Sequence, residues 1–143
     1  MEVFKMKRTV SLFLIIGILL SLSSCVVVKE SEDVWSSAKF TADSTVGNGS
    51  KTITVLVQAE EKSVTFTLHT DKENLADALL EHELIQGEQG PYGLYVKSVN
   101  GIVADYAINQ SFWSLSKKGE TMQTGVSGVQ IADGEQYELI YTK

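Results

Sequence analysis

One cysteine and two histidines are the side chains of this chain best suited to chemistry. Cys25 is the only thiol among 143 residues, so the sequence offers no disulfide and no thiolate cluster for zinc. His69 follows a predicted strand near Asp71, and His82 follows Glu81 in a predicted helix. Two histidines without a defined ligand spacing are weak support for a metal site. We therefore expect solvated or locally hydrogen-bonded histidines, with a surface metal site as the alternative.

No catalytic group of residues is apparent in the sequence. No serine lies in a Gly-x-Ser-x-Gly elbow. Gly87, Gly90 and Gly93 surround Pro91 as in a turn, without the lysine that follows a phosphate-binding loop. Acidic residues are plentiful, but a sequence cannot pair two of them across a cleft as glycoside hydrolysis requires. We therefore predict a protein that is not an enzyme and that needs no cofactor.

The first 25 residues have the layout of a secretory signal. A basic start at residues 5–8 precedes an apolar run over residues 10–22. The following Leu22-Ser23-Ser24-Cys25 resembles the lipobox of bacterial lipoproteins. The resemblance implies that the Cys25 thiol carries a diacylglycerol group and that residues 1–24 are removed as a signal peptide. It places the protein on the outer face of a cell membrane, held by lipid.

Three other interpretations of this segment stay open. It could be an ordinary signal peptide cut elsewhere, or a buried helix, although a terminal run this apolar fits a buried helix poorly. It could also be an uncut anchor, because apolar character continues from Thr9 to Val28 and about 20 residues span a bilayer. A diacylglycerol supplies two acyl chains, which is enough for stable anchoring. The membrane is therefore the first expected partner.

The net charge of the chain indicates which other classes of partner are expected. The net charge is −6, and residues 1–24 contribute three basic and one acidic residue, so the remainder carries −8. Nucleic-acid affinity comes mainly from Lys and Arg that neutralise phosphates, so nucleic acid is not an expected partner. The segment 25–50 is polar, acidic and rich in turn residues, which predicts a flexible tether after the lipidated cysteine. Within it, Trp35 and Phe40 are expected to pack on the domain, or else to bind a partner or the lipid surface.

Residues 51–143 are predicted to form one α+β domain. Period-two alternation indicates a hairpin over residues 53–57 and 64–68. Thr70 and Glu73 have the spacing of a capping box, which predicts a helix that ends at Gly87. The remainder is predicted to be strands, at residues 94–99, 102–103, 112–116, 121–126 and 137–141, with Asn100-Gly101 as a tight turn.

Five aromatic residues crowd into about twenty positions, namely Tyr92, Tyr95, Tyr106, Phe112 and Trp113. If Phe112 faces the core, Trp113 points to the other side of the sheet, because side chains alternate along a strand. An exposed Trp beside tyrosines would form a flat platform for a ring-shaped ligand. The alternative is that Trp113 packs under a loop.

The C-terminal half resembles the C-terminal domain of transcobalamin and intrinsic factor, which bacterial lipoproteins share. The resemblance rests on Gly93-Leu94-Tyr95-Val96-Lys97-Ser98-Val99-Asn100-Gly101, Phe112-Trp113-Ser114-Leu115, Gly125-Val126 and residues 131–139. It implies a β-grasp-like fold with a mixed sheet and one main helix. It also implies that Tyr95, Trp113 and Leu115 contact a ligand.

In the animal carriers of that family this domain closes over one face of cobalamin, and a separate helical domain holds the other face. This chain has no room for a helical domain. The sequence therefore predicts a non-catalytic binding module, with a corrinoid-like small molecule as the leading ligand. The alternatives are a cell-surface protein partner bound at a sheet edge and, less favoured, a metal ion.

Overall fold

A six-stranded mixed sheet is the main layer of the protein. The computed structural model describes residues 32–143, so Cys25 and the predicted signal peptide lie outside the described residues. The sheet has the order β1-β3-β2-β9-β7-β8, in which β1 pairs with β3 and β2 with β9 in parallel, and the other pairs are antiparallel. Its strands are β1 (Ser44–Gly47), β2 (Lys51–Ala59), β3 (Lys62–Thr70), β7 (Phe112–Lys117), β8 (Glu120–Thr121) and β9 (Gln136–Thr142).

The hairpin of β2 and β3 confirms the period-two prediction. Ile53, Val55 and Val57 are buried on one face, and Val55 lies opposite Phe66 on β3. The intervening Thr54 and Leu56 are partly exposed, because successive residues of a strand point to opposite faces. Buried β-branched residues on both strands fix the register, since a one-residue slip would turn them toward water.

The main helix, α1 (Leu75–Glu81), is shorter than the sequence predicts. Its cap is Asn74, whose side chain accepts a hydrogen bond from Ala76 N at 2.8 Å, rather than the predicted capping box of Thr70 and Glu73. The predicted end at Gly87 is also wrong, because the helix stops at His82 and the chain turns into a strand. No helix in residues 32–143 combines the length and apolar character needed to cross a bilayer.

A second, antiparallel sheet has the order β4-β5-β6. It consists of β4 (Ile85–Gly90), β5 (Gly93–Val99) and β6 (Ile102–Val103). Asn100 and Gly101 form the predicted turn, with φ angles of 52° and 79°. Gly87 is needed inside β4, where an added Cβ would come within 2.0 Å of the Tyr95 carbonyl oxygen across a β-bulge. The helix has already ended before this point, since Glu83 has a φ of 54°, outside the right-handed helical region.

The fold is α+β and β-grasp-like, as predicted. A hairpin, one main helix and a closing strand that pairs in parallel with the first hairpin strand define this arrangement. The core lies between the large sheet, α1 and the second sheet. Its largest fully buried side chains are Tyr137, Phe66, Ile53, Leu68, Leu75, Leu79, Leu84, Ile85, Ile102, Leu139, Val55 and Val57.

Residues 33–47, which we name the strap, are packed on the domain, although the sequence predicts a flexible tether there. Trp35 is buried in a 3₁₀ helix (Val34–Ser37), and its indole N–H donates to the Ala59 carbonyl at 2.9 Å. Phe40 meets Phe66 edge-on at 5.4 Å between ring centroids. Asn100 hydrogen-bonds both the N–H and the carbonyl of Phe40. These contacts offset the ordering entropy of a polar segment, and they confirm the expected packing of Trp35 and Phe40.

A polar triad ties β7 to β9. The Glu135 carboxylate accepts hydrogen bonds from the Tyr137 hydroxyl and from the Lys117 ammonium, the latter at 2.9 Å. These two bonds hold the pKa of Glu135 below its ordinary value. Burial, together with the Glu135 carboxylate, raises the pKa of the Tyr137 phenol above its ordinary range.

Truncating Trp35 should destabilise the whole domain. We expect Trp35→Ala to lower the free energy of unfolding by about 3–5 kcal/mol, the usual cost of removing a large aromatic side chain from a core. Urea denaturation measures this difference. Tyr92→Ala, at an almost fully exposed position, is the control and should change stability by no more than about 0.5 kcal/mol. Equal stability of the two variants would contradict a packed strap.

Acid should weaken the triad. A carboxyl group whose folded pKa lies below its unfolded value of 4.5 stabilises the fold above pH 4.5, and this contribution is lost as pH falls through the folded pKa. Glu135→Gln should therefore be less stable than the parent at neutral pH, with the difference shrinking in acid. The denaturation midpoints of the parent and of Glu135→Gln, compared between about pH 3 and 7, measure this difference in stability. Glu120→Gln, at an exposed position, is the control. A constant difference across this range would contradict the role of the ionised group.

Candidate binding cleft

A cleft of about 280 Å³ lies between β5, β7 and the loop that follows β8. The sequence predicts a strand over residues 121–126, but only Glu120–Thr121 pair, and the chain then runs as a loop into a 3₁₀ helix (Val126–Gly128). That loop forms one wall. The lining residues are Leu94, Tyr95, Val96, Phe112, Trp113, Ser114, Leu115, Thr121, Met122, Gln123, Thr124, Gly125, Val126 and Leu139.

The three ligand-contacting residues predicted from the sequence all line this cleft. Tyr95, with 51% of its surface exposed, stands at the rim, whereas Trp113 and Leu115 are buried in its floor. Trp113 is only 9% exposed, and its indole N–H donates to the Ile102 carbonyl at 3.2 Å. Its ring packs edge-on against Tyr141, 5.6 Å between centroids. Trp113 therefore does not form the flat, exposed platform that the sequence predicts. The alternative prediction, a packed indole, is confirmed.

Phe112 is the aromatic residue that sequence reasoning missed. Side chains alternate along β7 as predicted, but with the opposite sense, so that Phe112 is exposed and Trp113 is buried. The exposed aromatic rings at the cleft are thus Tyr95 and Phe112. Alternation alone cannot decide which of two neighbouring aromatic residues faces outward.

Two hydrogen bonds through Ser127 hold the loop wall. The Ser127 hydroxyl accepts from Leu94 N at 2.9 Å, and its carbonyl accepts from the side chain of Asn74, the cap of α1. At the other end of the loop, Met122 N donates to the Leu115 carbonyl at 2.8 Å. Gly93, with φ of 102°, leaves room for Ser127, whose Cβ would lie 2.7 Å from an added Cβ. The loop wall is therefore connected to α1, β5 and β7.

The cleft lining contains no charged side chain and no histidine or cysteine. Its polar groups are hydroxyls, one amide and backbone groups, and the rest is aliphatic, aromatic or thioether surface. Such a surface can hold an uncharged, largely apolar group and orient it with a few hydrogen bonds.

The two histidines lie outside the cleft lining. His69 Nδ1 lies 2.9 Å from Thr52 Oγ1 in a hydrogen bond, which fits the expectation of local hydrogen bonding. His82 Nε2 is buried 3.7 Å from a Glu81 carboxylate oxygen and makes no hydrogen bond within residues 32–143. No group of three or more His, Cys, Asp or Glu side chains within this range is placed to hold a metal ion.

The region from α1 to β9, which includes the entire cleft, has family relatives. Residues 72–143 match the family described as Domain of unknown function (DUF4430). The chain belongs to this family. The strap, which includes β1, and the strands β2 and β3 precede the matched region. No curated protein matches the chain.

Two solved structures resemble this member of the DUF4430 family. A candidate metal binding protein from Ruminococcus gnavus ATCC 29149 shares 32% identity over 65% of this chain and 97% of its own, with a TM-score of 0.62. Haptocorrin, solved in complex with Cbi and transcobalamin-like, shares 19% identity and a TM-score of 0.50 over 68% of this chain. The match spans only 26% of haptocorrin. The predicted relation to transcobalamin is thus supported as a likeness of fold.

Proposed function

We propose that this protein is a non-catalytic binding module that receives an uncharged, ring-shaped small molecule in the cleft, with corrinoid-like compounds as the leading class. The observation that carries the proposal is the meeting of Tyr95, Trp113 and Leu115 on one uncharged, mostly apolar cleft. Ligand pockets are typically concave and apolar with a few orienting polar groups, and this cleft has that composition.

The size of the cleft limits how the ligand is held. Ligand pockets commonly measure ~300–1,000 Å³ and enclose most of a ligand, whereas this cleft holds about 280 Å³. It therefore contacts one face or one edge of a larger ring system. Tyr95 and Phe112 at the rim would pack on that face, and the opposite face would stay open to water or to a second protein.

The comparisons support a small-molecule ligand in general terms. Haptocorrin was solved with Cbi bound, but at 19% identity its likeness concerns the fold alone. The Ruminococcus gnavus relative is described as a candidate metal binding protein. Residues 32–143 of this chain contain no matching cluster of ligands, so a metal ion is the weaker alternative.

Titration with cobalamin and with cobinamide tests the ligand class. Quenching of Trp113 fluorescence is expected for both, because its indole lies in the cleft floor, and N-acetyltryptophanamide supplies the inner-filter correction. Tyr95→Ala should weaken binding by about 1–2 kcal/mol, roughly 5–30-fold. Tyr92→Ala, which removes an exposed tyrosine outside the lining, is the matched control and should bind as the parent does.

Trp35→Phe distinguishes the fluorescence of Trp113 from that of Trp35. It removes the tryptophan of the strap and should leave the ligand-induced quenching in place, whereas Trp113→Phe should abolish it. Absence of saturable quenching by either corrinoid, with both variants folded by circular dichroism, would exclude this ligand class. Equal weakening by Tyr95→Ala and Tyr92→Ala would place the ligand elsewhere.

The same proposal places the protein at the extracytoplasmic face of a cell membrane, held by lipid on Cys25. The basic start, the apolar run and the lipobox-like sequence support it. Cys25→Ala is expected to lack the diacylglycerol and, because cleavage before the cysteine follows lipidation in such lipoproteins, to keep residues 1–24, which the intact mass of the variant would show. Ser24→Ala, which keeps a small residue before the cysteine, is the control. An unprocessed N-terminus in the intact mass of the parent would contradict lipid anchoring.

A protein partner is the second candidate, and β4 is the strand that favours it. β4 pairs only with β5 among the described strands, and its residues 86–90 are exposed. An added strand from a partner could pair with this edge. The bulge at Gln86/Gly87 opposes it, because bulges blunt sheet edges. Crosslinking on cells from Gln89→Cys would trap a protein without added ligand if this candidate is right.

A further inference from the structure

The N-terminal part of the described residues contacts the large sheet at one end. The Asp33 carboxylate pairs with Lys62 at 2.7 Å, and Trp35 hydrogen-bonds Ala59. Ala59 and Lys62 flank the turn between β2 and β3. The strap therefore begins at the turn end of this hairpin, which we name the strap end of the sheet.

The register places a further element at the strap end. Ile140 of β9 lies opposite both Gln58 of β2 and Ser114 of β7, so the start of β7 is level with the end of β2. A one-turn helix, α2 (Tyr106–Asn109), immediately precedes β7. Its Asn109 side chain donates to the Tyr141 hydroxyl at 3.4 Å, which ties α2 to β9.

The neighbouring strand β6 also reaches this end, because it packs against the 3₁₀ helix of the strap. Gly101, just before β6, lies so close that an added Cβ would stand 2.4 Å from the Ser37 carbonyl oxygen. The segment from β6 to α2 is therefore a direct neighbour of the point where the strap joins the sheet.

Three large hydrophobic side chains of this segment are exposed to solvent. Val103 is 62% exposed, Tyr106 60% and Ile108 82%. The Asp105 side chain caps α2 by accepting hydrogen bonds from Ala107 N and Ile108 N. The capped turn holds Tyr106 and Ile108, and Val103 is the exposed residue of β6. The exposure of all three is therefore built into the local structure.

We propose that this surface, made of Val103, Tyr106 and Ile108, lies on the lipid bilayer. The inference rests on the membrane anchoring in the proposed function. Only four residues separate Val28, the end of the apolar run, from Asp33. Even fully extended, that distance is at most ~18 Å, and the distance from Cys25 to Asp33 is at most ~29 Å. The strap end is thus kept within these distances of the membrane surface, whether the anchor is lipid or an uncut helix.

The contact is expected to form by insertion of these apolar side chains into the bilayer. Glu60, Glu61 and Asp105 are exposed near the strap end, and the exposed Lys62 and Lys143 lie there too. With three acidic and two basic groups, attraction to anionic headgroups is not expected to drive the contact. Tyrosine is favoured at membrane interfaces because it joins an apolar ring to a polar hydroxyl. Side chains such as Ile108 gain by leaving water for the acyl boundary. The contact is therefore expected to form on uncharged lipid and to be insensitive to salt.

Depth-dependent fluorescence quenching tests the proposal on the full chain. The protein is produced in a bacterial host that processes it and is reconstituted into phosphatidylcholine vesicles containing acyl-chain nitroxide lipid. Ile108→Cys carries the environment-sensitive NBD fluorophore, and Glu120→Cys carries it at the opposite end of the sheet as the matched control. The parent chain, treated with the same reagent, reports any labelling of Cys25. Circular dichroism confirms that both variants fold.

We expect NBD at position 108 to sit ~5–10 Å below the headgroup level and to be strongly quenched. NBD at position 120 should be quenched little, and added salt should change neither result. Equal or absent quenching at both positions, in protein that floats with the vesicles, overturns the lipid contact and leaves the anchor intact. Protein that does not float contradicts the anchor as well. If the NBD fluorescence at position 108 instead changes with protein concentration and not with lipid, the surface binds a second copy of the chain. That result also overturns the proposal.

Discussion

The parallel pairing of β2 with β9 is the interaction on which the rest of the structure depends. Val55 lies opposite Tyr137 and Val57 opposite Leu139, while the other edge of β9 pairs with β7. One buried strand thereby joins the N-terminal hairpin to the C-terminal part of the sheet. The cleft depends on the same strand, because Leu139 contributes to its floor and Tyr141 supports Trp113.

The parts of the fold that the sequence predicts correctly are those with local signals. The β2–β3 hairpin alternates with period two, and Asn100-Gly101 accepts positive φ angles at both positions. The last strand is bounded by a turn at Gly134. The strap has no such signal. It is ordered by distant partners, such as Asn100 for Phe40 and Ala59 for Trp35, and its polar composition by itself indicates a tether.

Three residues of the candidate site are predictable from the sequence, but the place of Phe112 and the geometry of the site are not. The family resemblance selects Tyr95, Trp113 and Leu115, and all three line the cleft. The sequence cannot tell that Trp113 faces inward, because that orientation depends on a distant carbonyl, Ile102, which satisfies the indole N–H. Phe112 has no group that could make such a bond, and it lies at the rim, 37% exposed. The loop wall likewise depends on Ser127 and its tertiary hydrogen bonds.

The position of β9 in the chain has a consequence for biogenesis. β9 spans Gln136–Thr142, so the sheet stays open until residue 142 has left the ribosome. Until then β2 lacks the strand that pairs along its second edge. Pairings between residues this far apart in sequence close slowly, because loop-closure entropy opposes them. A growing chain of this design therefore completes its large sheet only after nearly all of its residues have been synthesised.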